Sequence, residues 1–418
     1  MRIFWEEIKK IWRLPLCAVI LAFCGLAAYL TLGSSLPVEQ YDRGNVWGEL
    51  TNITTLLKRF GSEMDAVERI EADALMDEYF ATLESWIAAH PIYAEHGIHN
   101  TADLRDCYLH RGAFAWLDDA EMANNSEFDY YVELFSDPLF AKEGGSETGH
   151  IMWVVQDLRE ALKLYDIEAE HGVYGYEILY GDATALQKER ANALTERKAF
   201  WNINSNAVLQ NTTSYAGRAV IIILLSVALL LLPYLVTDNT RGLTQMQWSA
   251  KSGRKTLKTQ FAAAMFSAFT LVAVEVAIVT GLFLRFNREF LVFRNQFIYS
   301  GLSHTPVPWL DLTYAQYGAA LIILCFVLSL GAAAVFALLS YKSQSPVTLL
   351  FKAIPTYVAS AIIGYQVLNA SITFSNSISR LTRIPCADVL ICAAVPIVGV
   401  ALCAYSYARA KKTDLVES

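Results

Sequence analysis

The sequence predicts an all-α integral membrane protein with six transmembrane helices and a large, mostly helical extracytoplasmic domain between helices 1 and 2. Of its 418 residues, 54% are hydrophobic, and the mean hydropathy is +0.32, which is high for a soluble protein. Several apolar runs of roughly twenty residues can each cross a hydrocarbon layer of about 30 Å. Residues 36–215 hold 32 acids and 13 bases, whereas the rest holds 9 and 20. This asymmetry places the acidic segment outside and the basic loops in the cytoplasm.

Residues 1–13 are predicted to form an amphipathic interfacial helix. Its apolar face comprises Ile3, Phe4, Ile8, Ile11 and Trp12, with Glu6, Glu7, Lys9, Lys10 and Arg13 mostly opposite. Residues 14–36 follow as the first transmembrane helix. A cleaved signal peptide is the alternative, with Ala27-Ala28 or Gly33-Ser34-Ser35 as small residues near a cut, but the length of the run and the two preceding glutamates favour a span.

Residues 37–217 are predicted to form the extracytoplasmic domain. Apolar residues recur at helical spacing from Leu50 to Ile70 and from Leu75 to Ile87, and Pro91 ends the pattern. A loop-rich middle follows, and then two more helices over residues 150–170 and 183–209. A segment of this size can bury a core of its own.

The second span is predicted at residues 218–236, a cytoplasmic coupling loop at 237–259, and spans three to six with short loops at 260–408. Residues 409–418 form a cytoplasmic tail, held inside by Arg409, Lys411 and Lys412. The connection after span three is expected outside, although its three arginines run against the charge rule. These are Arg285, Arg288 and Arg294.

The chain has no motif of a known enzyme class. Ser252-Gly-Arg-Lys-Thr256 has a passing likeness to a phosphate-binding loop, but the first glycine of that motif is missing and Arg254 separates the second glycine from the lysine. Neither a Gly-x-Ser-x-Gly elbow nor a His-Glu-x-x-His pair occurs in the sequence. We therefore expect no catalytic residues and no bound cofactor.

A metal site is not expected either. The candidate ligands crowd into one segment, but their spacing fits no metal template; they are His90, His96, His99, His110, Asp103 and Asp106. Asp118-Asp119 is interpreted as part of a solvated acidic surface. The cysteines are scattered, and most lie inside apolar runs, so no disulfide framework is predicted.

Glu275 is the one acid near the middle of a predicted span, in the run Phe-Thr-Leu-Val-Ala-Val-Glu-Val-Ala-Ile. An intramembrane charge is costly, and it usually faces the helix bundle or a cavity. Two interpretations stay open. Glu275 contacts a substrate or an ion, or it is a protonated or hydrogen-bonded residue at a contact between helices or subunits.

The order of these elements resembles the membrane subunit of ATP-binding-cassette exporters of the type-2 permease class. In that family the loop after span two carries an acid, a glycine, a hydrophobic run and a Ser-Gly-Arg-like motif. The matching positions here are Asp238, Gly242, Leu243, Ser249, Gly253 and Arg254, with Thr240-Arg241 where the family often has a glutamate. The segment Pro308-Trp-Leu-Asp-Leu-Thr-Tyr-Ala-Gln-Tyr317 at the start of span four also looks like bacterial members.

The resemblance implies a permease for export in a bacterial cell membrane, with both termini in the cytoplasm. A separate ATP-binding subunit would hydrolyse ATP, and a second permease copy or a related permease would complete the pathway within the bilayer, with no role for nucleic acid. The ATPase-coupling residues would be Asp238, Arg241, Gly242, Ser252, Gly253 and Arg254. An ordinary basic inner loop is the alternative for this segment. For the whole chain, the alternative is a membrane sensor or interaction protein with an extracytoplasmic recognition domain.

Overall fold

The protein is described here from a computed structural model, which defines residues 2–33, 43–89, 91–95, 97–111, 151–173, 183–243, 246, 253–303 and 305–412. Over these ranges the chain is helical, and β-type pairing is limited to isolated bridges. The more polar helices are α1 (Arg2–Ile11), α3 (Arg43–Phe60), α4 (Ala66–Ala72), α5 (Ala74–Ala81), α6 (Glu84–Ala89), α7 (Pro91–Glu95), α8 (Thr101–Arg111), α9 (Ile151–His171), α10 (Ala185–Glu196) and α15 (Ser377–Thr382).

Six helices in the described part of the chain are long and apolar enough to cross a membrane, in agreement with the predicted number of spans. They are α2 (Leu14–Leu32), α11 (Asn206–Thr240), α12 (Gly253–Phe286), α13 (Tyr314–Lys342), α14 (Pro346–Leu368) and α16 (Ala387–Lys412). These helices indicate a multi-pass membrane protein.

The bundle is built around α11 and α13. In their most apolar stretches, 72% of α11 and 67% of α13 is buried, against 11% of α2 and 22% of α14 and of α16. The peripheral helices therefore expose aliphatic side chains, which a bilayer rather than water would cover. Because α11 packs on α2, α12, α13 and α14, a displacement of α11 would move these four helices as well.

Close approach between α13 and α16 depends on two glycines. A Cβ atom added to Gly331 would lie 2.7 Å from the backbone nitrogen of Pro396, and one added to Gly399 would lie 2.9 Å from the Cβ of Ala334. Neither distance is compatible with normal packing. Small residues at such positions allow the two helix backbones to approach closely. The van der Waals contacts that result hold helices together in a membrane, where no hydrophobic effect drives their association.

The helix α11 extends beyond the predicted second span at both ends. The expected helix over residues 183–209 is interrupted: α10 ends at Glu196, a 3₁₀ turn spans Ala199–Trp201, and the Ser205 hydroxyl caps a new helix by accepting from the Val208 N–H. The last twelve residues of the predicted domain over residues 37–217 therefore belong to α11. At its other end α11 runs to Thr240, and α12 begins at Gly253, so the predicted loop over residues 237–259 is shorter.

The polar helices between α2 and α11 pack on one another through the predicted apolar stripe, but only in part. Leu50, Ile53 and Leu56 on α3 are buried as expected, whereas Val67 and Ile70 on α4 are exposed. The reason is a break in the helix. Gly61, at φ +90°, ends α3 and the Asp65 carboxylate caps α4, so the helical phase is lost between them.

This polar region is fixed to the connection between α12 and α13. Arg190 donates to the Pro308 carbonyl at 3.0 Å and pairs with Asp311, and Arg197 lies 2.8 Å from the same carboxylate. Asn204 also donates to the Phe297 carbonyl at 2.9 Å. The polar helices therefore lie at the end of the bundle where α12 ends and α13 begins.

The opposite end of the bundle carries α1. The Phe4 and Phe266 rings lie 5.8 Å apart, which seats α1 against the first half of α12. Asn239 donates to the carbonyls of Tyr341 and Ser343 at 2.7 and 3.0 Å, which joins the last turn of α11 to the end of α13. The six apolar helices alternate in direction between the two ends.

Candidate functional site

The end of the bundle that carries α1 holds a buried polar cluster, which we call the α1 clamp: Glu7, Lys10, Tyr234 and Asp238. Lys10 Nζ lies 3.1 Å from Asp238 Oδ2 and 3.3 Å from Glu7 Oε1. The Tyr234 hydroxyl donates to Glu7 Oε2 at 2.7 Å. One ammonium group therefore bridges two carboxylates from different helices.

Helical spacing explains how the clamp forms. Glu7 and Lys10 are three residues apart on α1, and Tyr234 and Asp238 are four residues apart on α11, so each pair shares one helix face. Both carboxylate side chains are less than a tenth exposed, while Lys10 is about a third exposed. Buried carboxylates need a partner, and the clamp supplies one for both.

The clamp contains two acids whose surroundings the sequence did not indicate. Glu7 is predicted on the solvent side of α1, but it faces α11. Asp238, one of the predicted ATPase-coupling residues, belongs to the last turn of α11 and is only 5% exposed. Asp238 therefore fixes the position of α1.

The remaining predicted coupling residues surround the short connection that follows the clamp. Arg241 is exposed, and Gly242 adopts φ +68°, the left-handed conformation that ends many helices. Ser252 lies outside the described residues. Gly253 and Arg254 start α12. The structure does not define the Arg254 side chain.

A second polar contact stiffens α11 just before the clamp. Pro233 lacks an N–H and so removes one hydrogen bond from the ladder of α11. Around this position Ser340 of α13 bonds the backbone of α11: its oxygen accepts from the N–H groups of Leu235 and Val236 at 2.9 and 3.1 Å, and its hydroxyl donates to the Leu232 carbonyl at 2.8 Å. Because the backbone of α11 is bonded to Ser340 of α13, the two helices are fixed together at this level.

Glu275 lies among other helices of the bundle. Its carboxyl lies beside the Ser226 hydroxyl of α11, and the thiols of Cys24 on α2 and Cys325 on α13 are nearby. Its Oε2 atom is buried and has no hydrogen-bond partner among the described residues. This position favours the interpretation of Glu275 as a helix contact.

At the end opposite the clamp, a polar cavity of about 620 Å³ opens between the start of α11 and the two connections packed on it. Glu168 and Arg380 contribute one charge of each sign to its lining. Most other polar groups that line it are hydroxyls and amides, from Asn206, Gln210, Thr213, Ser214, Tyr299, Thr305, Tyr317, Asn369, Thr373 and Ser375. Glu275 is not part of this lining.

A pair of acids lies beside this end of α11. Glu49 accepts from the Ser205 hydroxyl at 2.7 Å and from the Ala207 N–H at 3.3 Å, and burial raises its pKa. Burial, together with the carboxylates of Glu160 and Glu49, raises the pKa of Asp157 to about 7. Asp157 therefore changes its charge near neutral pH.

The described residues contain no group of three or more His, Cys, Asp or Glu side chains that could hold a metal ion. Asp103 accepts from the backbone N–H of His99 at 2.9 Å, which is a helix-capping contact. His90, His96, Asp118 and Asp119 lie outside the described residues. The His110 side chain is also undefined.

The α1 clamp was not predicted because its charged residues, Glu7, Lys10 and Asp238, look like ordinary surface charges in the sequence. Glu7 and Lys10 sit in a helix rich in exposed charges, and Asp238 heads a basic loop. The helical spacing of Tyr234 and Asp238 was a usable signal, since it puts an acid on the face of an apolar helix. Its partner on α1 could be found only from the fold.

Comparisons of this chain with protein-family models, with curated proteins and with solved structures return no match.

Proposed function

We propose that the chain is the permease subunit of an ATP-binding-cassette exporter of the type-2 class. One observation supports this above the others. The α1 clamp ties the amphipathic helix α1 to the last turn of α11, immediately before the short connection to α12. Force applied at that connection would reach α1 and the central helix together.

In this proposal the connection, from Arg241 to the start of α12, is the surface that a separate ATPase subunit contacts. The exposed Arg241 and the lysines that the sequence places nearby are suited to an acidic groove on a partner. These lysines are Lys251, Lys255 and Lys258. Asp238 does not touch the ATPase. It holds α1 against α11, so that ATP-driven movement of the connection displaces both as one rigid body.

The rest of the proposal follows from this arrangement. The end with α1 faces the cytoplasm, and both termini lie there because the described part of the chain has an even number of spans. The polar, acidic helices between α2 and α11 then lie outside a bacterial cell membrane. A second copy of the chain, or a related permease, completes a pathway through which substrate is exported, and ATP is bound by the partner alone.

The test is co-expression of the chain with an ATP-binding-cassette ATPase encoded beside its gene. We expect the two to copurify and the complex to hydrolyse ATP. Arg241→Glu reverses an exposed charge on the connection and should cut copurification at least fivefold. Lys188→Glu makes the same charge change on exposed α10, at the other end of the bundle, and should leave copurification unchanged.

Two results would contradict the proposal. One is equal copurification of the ATPase with Arg241→Glu and with the unmodified chain. The other is the absence of any copurifying ATPase, which would favour the alternative of a membrane sensor that uses the polar helices for recognition.

A further inference from the structure

An apolar groove of about 320 Å³ lies between α11, α12 and α13 at the end of the bundle opposite the α1 clamp. Its walls are almost wholly aliphatic and aromatic, for example Val276, Phe283 and Ile322, and Arg294 stands among the lining residues at the membrane edge. A groove of this size lies within the range of small-ligand sites.

The length of the groove matches one leaflet of a bilayer. Along α13 it extends from Tyr314 to Cys325, which at about 1.5 Å per residue is roughly 16 Å. The hydrocarbon core of a bilayer is about 30 Å thick, so the groove has the depth of one acyl chain. Its outer end is where α12 ends and α13 begins, which is the level of lipid headgroups.

Three arginines and one acid, Glu289, lie at that level, so the connection carries a net positive charge there. Arg285, Arg288 and Arg294 follow one another at the end of α12 and in the 3₁₀ turn Arg288–Phe293, and all three are exposed. In the described part of the chain no ion pair neutralises them. Leu291 and Val292 beside them are also exposed, at 44% and 43%, as expected for a turn inserted at a membrane interface.

We propose that this groove binds an anionic phospholipid, with one acyl chain between α12 and α13 and the phosphate on Arg294. A guanidinium group binds phosphate through paired hydrogen bonds. The neighbouring arginines add attraction for negative headgroups. A bound anionic lipid also explains why three arginines occur on a connection in which the positive-inside rule predicts few basic residues. The site is independent of any ATPase partner.

Gly318 makes the groove testable without disturbing the fold. It lines the groove, and a Cβ added there meets nothing within 4 Å, so Gly318→Leu fills the space that the acyl chain would occupy. Gly281 on α12 is a matched control, because a Cβ there also meets nothing within 4 Å and the residue does not line the groove.

The experiment is native mass spectrometry of the full chain released from nanodiscs that contain equal amounts of phosphatidylglycerol and phosphatidylcholine. We expect the unmodified chain to retain phosphatidylglycerol in preference to phosphatidylcholine. Gly318→Leu should lower retained lipid at least fivefold, and Arg294→Gln should abolish the preference for phosphatidylglycerol. Gly281→Leu and Arg383→Gln, a change of an exposed arginine elsewhere, should behave like the unmodified chain.

Three outcomes would overturn the proposal. Equal retention of the two lipids by the unmodified chain would exclude an anionic lipid site. Unchanged retention in Gly318→Leu would place the bound lipid elsewhere. Loss of a dimer in Gly318→Leu with lipid retention intact would assign the groove to a second copy of the chain.

Discussion

Replacement of Lys10 by methionine tests the α1 clamp directly. The substitution keeps a long unbranched side chain and removes the ammonium group that bridges Glu7 and Asp238, at 3.3 and 3.1 Å. Two carboxylates that are 8% and 7% exposed would then face each other without a cation. We expect the variant to lose stability because neither acid can reach bulk water while α1 stays in place.

The magnitude follows from the burial of the three groups. Removal of one partner of a buried ion pair costs about 3–5 kcal/mol. Lys10 is 32% exposed, so the lower end applies, and we expect a loss of about 3 kcal/mol, a change of roughly a hundredfold in the unfolding equilibrium. Adding Glu7→Gln and Asp238→Asn to Lys10→Met removes the uncompensated charges and should recover more than half of this loss.

The assay is equilibrium unfolding in mixed micelles, followed by tryptophan fluorescence. Lys9→Met is the matched control, since Lys9 pairs with Glu6 at 3.0 Å but both side chains are mostly exposed. Its expected cost is at most about 0.5 kcal/mol. Equal losses for Lys10→Met and Lys9→Met would refute the reasoning, as would a triple variant no more stable than Lys10→Met.

Three further predictions concern other parts of the molecule. Gly331→Ala places a Cβ 2.7 Å from the Pro396 nitrogen and should lower the free energy of unfolding by about 1–3 kcal/mol in the same assay. Gly318→Ala, with open space around it, should leave the free energy of unfolding unchanged. Equal effects of the two substitutions would disprove the close crossing of α13 and α16. Asp157 holds a proton in the folded state up to its pKa of about 7 and loses it near pH 4 when unfolded, so stability should fall as pH rises between these values and stay level above pH 7. That slope should become shallower in Asp157→Asn, with a part left from Glu49, whose pKa burial also raises. It should be unchanged in the exposed control Glu170→Gln, and an equal slope in both variants would contradict this assignment. Glu275→Gln keeps the shape of a helix contact and should stay within about 1 kcal/mol of the unmodified chain, whereas Glu275→Lys should lose more than about 3 kcal/mol; the reverse order would exclude a structural role.

The six apolar helices could be predicted because each depends on local composition alone. A run of uncharged apolar residues must form a helix inside a bilayer, whatever its neighbours are. Spans four, five and six are predicted at about residues 314–339, 347–368 and 387–407, and the limits of α13, α14 and α16 lie no more than five residues from these because polar or basic residues stop each run. The end of α11 lies four residues beyond its predicted limit at residue 236, because Asp238 looks like the start of a loop until its partner is known.

The interior of the polar region was harder to predict. A continuous stripe from Leu50 to Ile70 was expected, but Gly61 and Asp65 interrupt the helix and change which residues face inward. Helical spacing predicts a face only while the helix is unbroken. The interruption itself was readable from a glycine followed by a capping acid, though its effect on Val67 and Ile70 was not.

What the sequence determined by itself is the membrane character of this protein: the number of spans, their approximate limits and the division of charge between segments, all of which follow from composition over short windows. Only the tertiary structure decided which charges are buried together. Lys10 and Asp238 are 228 residues apart, and their contact depends on α1 lying across the ends of α11 and α12. The same holds for the contacts of Ser340 with the α11 backbone beside Pro233. Pairings of this kind arise from the packing of helices that are distant in sequence, and no local pattern encodes them.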